Sequence, residues 1–84
     1  MGLSSLLHPG MTIEVIRDFN DYDGKRWSAG FQFEEFSRYD CVPYHDGYTF
    51  HFRNAVLRLS GNEPANSDVL FEADKFFRVV TVTA

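Results

Sequence analysis

The chain has 84 residues, enough for one domain around one modest core. Its 44% apolar content excludes a disordered polymer, and no run approaches the ~20 apolar residues of a membrane span. A formal charge of −4, with Lys and Arg scattered, argues against nucleic-acid binding, which needs a concentrated basic face. Only folding that gathered Arg17, Arg53, Arg58 and Arg78 onto one side would restore that function. One cysteine forms no intrachain disulfide, and the N-terminus lacks the positive region and apolar run of a signal peptide. A cytoplasmic protein is therefore expected, without a membrane anchor.

Residues 1–8 read as a lead-in segment in which Leu3, Leu6 and Leu7 form a helical turn or a lid. Residues 9–84 read as a single small barrel domain. Pro9-Gly10 turns the chain. Met11–Phe19 reads as the first strand, weakened by Ile16 on the polar face. Asn20–Arg26 is a polar turn-rich loop ending in Asp23-Gly24. Trp27, Ala29, Phe31 and Phe33 keep one phase of a second strand, and a bulge at Glu34-Glu35 would bring Phe36 back into it. Ser37–Tyr44 carries the chain to a central turn, with Val42 held extended by Pro43.

The strongest alternation follows. Tyr48, Phe50 and Phe52 share one face, and Thr49, His51 and Arg53 the other. Asn54-Ala55 then predicts a tight hairpin into a strand carrying Leu57 and Leu59 on the aromatic face. Ser60–Ser67 is loop-like, and residues 68–77 read as a short helical turn capped by Ser67 or Asp68. Arg78–Thr83 is the last strand. The fold class expected is mainly β: a small, SH3-like, partly open barrel of about five strands with one short helical turn before the last. An OB-like barrel is the runner-up.

Leu7-His8-Pro9-Gly10, Phe19 with Asp21-Tyr22-Asp23-Gly24, and Pro43-Tyr44-His45-Asp46-Gly47 resemble a family of short bacterial domains of unknown function. That family carries a Pro-Gly opening, a Phe-x-Asp-x-x-Gly segment and a Tyr-His-Asp-Gly turn. The resemblance spans Leu7 to Phe77 and implies a small bacterial cytosolic domain without a stated activity. In element order the chain also loosely resembles SH3 domains. It lacks their Ala-Leu-Tyr-Asp-Tyr segment and paired tryptophans, which argues against proline-rich ligands.

Cys41, His45, Asp46 and His51 are the chemical cluster. A zinc site needs three or four converging ligands, and His51 falls on the strand face opposite the aromatics, so no metal or other cofactor is expected. A Cys41/His45/Asp46 site for a small molecule or a minor enzyme activity is the alternative function. Asp18, Asp21, Asp23 and Gly24 do not fit a calcium loop, because its first and last ligand positions would fall on Phe19 and Gly30. The leading reading is a non-enzymatic module that binds a protein partner or itself. Its surface combines the loop 20–26 with the turn 39–47. Tyr22, Tyr39 and Tyr44 supply contact area, and Asp21, Asp23, Asp46 and His45 supply polar contacts suited to a basic partner.

Overall fold

The alternation from Tyr48 to Phe52 is a strand in the computed structural model, which describes residues 2–42 and 47–81. Eight short strands are present among those residues: β1 (Thr12–Val15), β2 (Phe19–Asn20), β3 (Arg26–Trp27), β4 (Gln32–Phe33), β5 (Phe36–Val42), β6 (Gly47–Phe52), β7 (Val56–Ser60) and β8 (Phe77–Thr81). They form three antiparallel sheets, β4-β1-β8, β2-β3 and β5-β6-β7. A one-turn helix α1 (Leu3–Leu6) opens the chain. A two-turn helix α2 (Pro64–Phe71) and a 3-10 turn (Ala73–Lys75) precede β8.

The mainly β class is as expected, with helical structure before the last strand. The strands are more numerous and shorter. Met11–Phe19 is two strands, not one. After Val15 the chain leaves β1, Ile16 is 46% exposed, and Asp18 ties down the following loop. Trp27–Phe33 also breaks in two, because Gly30 turns at φ 100° and Phe31 N–H closes onto Ser28 C=O at 3.1 Å. Phe36 does return to the core, after Glu35 at φ 50°. Ser37–Val42 is not a connection but most of β5, which pairs with β6 through a register shift near Ser37. The helical segment begins at Pro64, earlier than the expected 68–77. Pro64 sits at its first position, where a missing N–H is harmless, and Glu63 precedes it rather than a Ser67 or Asp68 cap.

The β6–β7 hairpin matches expectation: Phe50 pairs with Leu57 and Tyr48 with Leu59, and Phe52 N–H reaches Ala55 C=O at 2.9 Å. Phe33, Phe50, Leu57, Ile13, Val15, Leu3 and Val69 are fully buried. Phe33 is the hub, with ring centroids of Trp27 at 4.7 Å, Phe31 and Phe52 at 4.9 Å and Phe77 at 6.2 Å. Such tilted and edge contacts add to the area that each ring buries. Leu3 and Leu7 belong to this core, so the lead-in packs with the body and α1 rests on α2.

Backbone bonds stitch the sheets together. Phe36 N–H donates to Met11 C=O and Gly10 N–H to Phe36 C=O, both at 2.8 Å. Arg53 N–H reaches Glu34 C=O at 2.8 Å. Asn66 is a buried polar clasp: its Oδ1 accepts from Ser60 N–H at 3.0 Å and its Nδ2 donates to Asn20 C=O at 3.1 Å. It joins α2 to β7 and β2, and each of these polar groups gains a partner.

Candidate interaction site

The loop 20–26 owes its shape to Asp21. That side chain is only 6% exposed. Its Oδ1 accepts from Lys25 N–H and its Oδ2 from the indole N–H of Trp27, both at 2.9 Å. Asp21 N–H and Lys25 C=O close the loop from the other side at 2.9 Å. Gly24 takes φ 81° at the tip, which a side chain would strain. Asp21 is therefore a loop staple and not a surface charge for a partner, which corrects that part of the expected site. Trp27 is core, and its indole N–H is satisfied by Asp21.

Stapling Asp21 presents the next two residues. Tyr22 N–H donates to Arg58 C=O at 2.8 Å, pinning the turn to the open edge of β7. Tyr22 remains 49% exposed. Asp23 Oδ2 lies 3.5 Å from Arg58 Nη1. Between this turn and the strands is a shallow cleft of about 240 Å³ lined by Tyr22, Asp23, Gly47, Tyr48, Thr49, Arg58 and Leu59. The fold thus brings the loop 20–26 against Gly47, the described end of the central turn. Arg58, Thr49 and Leu59 were not legible as site residues. Thr49 and Leu59 have no sequence signal beyond membership of the β6–β7 hairpin, and Arg58 stands out only as one of four arginines of a conceivable basic face.

Tyr39 is exposed as expected, but it stands on β5 rather than in a turn. Its ring lies 5.7 Å from that of Phe50 and 6.2 Å from that of Tyr48. Tyr44, His45 and Asp46 lie outside the described residues. Cys41 is exposed on β5 opposite Tyr48, the face that also carries Tyr39. His51 is on the other face, where its Nε2 lies 2.9 Å from Asp40 Oδ2. Cys41 and His51 are therefore separated by the sheet. Among the described residues no group of three His, Cys, Asp or Glu side chains could hold a metal ion, and no helix is long and apolar enough to cross a membrane.

Charge elsewhere is locally matched. Asp18 accepts from Ala29 N–H at 2.7 Å and Arg26 Nη2 at 3.0 Å. The backbone bond first, and Arg26 after it, hold its carboxyl below the usual range. Glu14 is lowered in the same way by Gln32 and then Arg78. Of the four arginines that might have formed a basic face, Arg53 pairs with Glu34 and Glu35, Arg58 with Asp23 and Arg78 with Glu14. Arg17 lies over the Phe76 ring at 5.3 Å.

No family model and no curated protein matches the chain. Among solved structures it is similar to an integron cassette protein from the mobile metagenome of Vibrio cholerae. The TM-score is 0.78 over 95% of this chain and 92% of that one, at 20% identity. The likeness is one of fold.

Proposed function

We propose that the chain is a small bacterial, cytoplasmic, non-enzymatic interaction module. It takes a protein partner at the cleft between the Tyr22–Gly24 turn and β6–β7. The three stitched sheets are read as one curved, partly open barrel of SH3-like kind, and the resemblance of the turn motifs to those of short bacterial domains supports the bacterial setting. The observation that carries the function is the state of Tyr22. Its backbone is fixed to β7, yet half of its surface faces water at the rim of a cleft. A pinned aromatic ring gives contact area at little entropic penalty, and Tyr is enriched among residues that dominate binding energy.

For this cleft, size favours an interaction surface over a small-molecule site; a second hollow of about 530 Å³, lined by Asn20, Asp21, Tyr22, Gly24, Glu63, Ala65 and Asn66, has the volume of a ligand pocket but is more open still. Pockets for cofactors and substrates usually span about 300–1,000 Å³ and enclose their ligand. A cleft of about 240 Å³ that opens on one side suits a single side chain of a protein segment. The Asp23–Arg58 pair sets the chemistry of the rim. An incoming carboxylate or cation can exchange with one member of an exposed pair whose own strength is only about 0–1 kcal/mol.

The experiment is affinity capture from bacterial extract with wild type, Tyr22→Ala and Arg58→Ala as baits, each verified folded by circular dichroism. A protein recovered by wild type and weakened by about thirtyfold with Tyr22→Ala, as expected for a dominant contact of ~2 kcal/mol, supports the cleft. Equal recovery by all three baits overturns it.

A further inference from the structure

We propose that the chain also forms a symmetric dimer by pairing β5 antiparallel with β5 of a second copy, centred on Tyr39. This rests on the reading of the chain as an interaction module, and it uses the β5 edge, which adjoins the cleft through Tyr48. β5 is an edge strand of the β5-β6-β7 sheet. Its first residue, Phe36, is occupied by Gly10 and Met11. From Ser37 to Cys41 every side chain is exposed, and no described residue bonds to the outer edge. Long open edges are templates for another strand, and folded proteins usually blunt them.

Strand geometry fixes what this edge can accept. Phe52 N–H is directed towards β7, where it meets Ala55. By alternation His51 and Thr49 bond towards β5, so their opposites, Arg38 and Asp40, are the β5 residues turned towards β6. Tyr39 and Cys41 then direct N–H and C=O outwards. A second β5 must bond at those two residues, which leaves few symmetric registers. Centred on Tyr39, each Arg38 lies opposite Asp40 of the second copy. Centred on Asp40, the two Asp40 carboxylates face each other, with Cβ atoms only about 4.5–5.5 Å apart. Centred on Cys41, Asp40 has no opposite charge across from it. Charge complementarity selects the first register, with two Arg–Asp pairs related by the two-fold axis.

The other face of the strand agrees with this. Tyr39 is 42% exposed and continues the ring row of Tyr48 and Phe50 beyond the core. Pairing at Tyr39 places the second copy's Tyr39 ring beside it and extends the row across the axis. Within one copy Arg38 Nη1 already lies 3.5 Å from Asp40 Oδ2, and His51 Nε2 lies 2.9 Å from the same oxygen; with 62% and 55% of their side chains exposed, Arg38 and Asp40 exchange this weak pair for the cross-strand contact.

The test is sedimentation velocity over a wide concentration range, together with charge reversal. Wild type is expected to dimerise. Arg38→Asp and Asp40→Arg, each placing like charges opposite each other twice, weaken the dimer by about tenfold or more, and the double swap R38D/D40R restores it to within about threefold. Both positions are exposed, so the fold tolerates the changes. Hydrogen exchange supplies the second readout, with the Tyr39 and Cys41 amides gaining protection as concentration rises. A wild type that stays monomeric overturns the proposal. So does a dimer whose Kd ignores the single reversals, a double swap without rescue, or a dimer without protection at Tyr39. Tyr22→Ala separates the two readings. A monomer that still captures a partner through Tyr22 removes only the dimer, and a β5 dimer indifferent to Tyr22→Ala in capture removes only the cleft.

Discussion

Replacing Asp21 with alanine removes the acceptor for both the Trp27 indole N–H and the Lys25 amide. The indole bond is buried, so its donor finds no water, and an unsatisfied buried donor costs about 1–3 kcal/mol. Bonds to an ionised carboxylate contribute about 1.5–3 kcal/mol, but the Lys25 amide, only part-buried, regains some of this from solvent. The two overlapping losses amount to roughly 2–4 kcal/mol. A chain of this length has about 4–13 kcal/mol of total stability, so a large fraction disappears and Tm falls by about 10–30 °C. Urea unfolding measures it, followed by far-UV circular dichroism and by the fluorescence of Trp27, the sole tryptophan. Trp27→Phe deletes the stranded donor, so the double variant should be less destabilised than the sum, by about 1–2 kcal/mol of coupling. A loss under about 0.5 kcal/mol, or strict additivity, would refute the staple.

Phe33→Ala removes the ring that touches four others and should cost about 3–5 kcal/mol, leaving a populated unfolded state visible by circular dichroism at room temperature. A variant as stable as wild type would show that Phe33 is not the hub. Asp18 titrates below its ordinary value in the folded chain, so its contribution is complete above the unfolded value of about 4 and is lost as pH falls through the lowered one. Stability of Asp18→Asn should therefore be flatter than wild type below about pH 4, and parallel profiles would contradict this. Glu14 titrates in the same direction and keeps part of the slope in that variant.

Legibility in the sequence followed burial. The β6–β7 hairpin could be read because Phe50, Phe52, Leu57 and Leu59 are buried while Thr49 and Arg58 are not, so the pattern in the chain is the pattern in space. β5 could not, because an edge strand overhanging the core has no buried side chain between Ser37 and Cys41 to mark its period. β1 and β2 read as one strand because Ile16 is apolar, although the chain has already left the sheet there. In the site, exposure of Tyr22 and Tyr39 followed from their place in predicted loops, although Tyr39 stands on β5. The role of Asp21 did not, since an inward carboxylate looks like any other in a run of three until the partner indole is placed. Arg58 joined the cleft through a backbone contact from Tyr22, and such a contact leaves no mark on side-chain chemistry.

β1 lies in the middle of its sheet, with β8 on one side, and Glu14 meets Arg78 across 64 positions of chain. The first strand therefore has to wait for the last. Closing so long a loop is entropically expensive before any contact rewards it, which places folding in the millisecond-to-second range rather than microseconds. On the ribosome, the β6–β7 hairpin can form as it emerges, but β1 remains without β8 until residue 81 has cleared the exit. Until then β1 can pair only with β4, through Ile13 and Phe33, and its other edge stays open, the kind of unpaired edge that exposes a folding chain to aggregation.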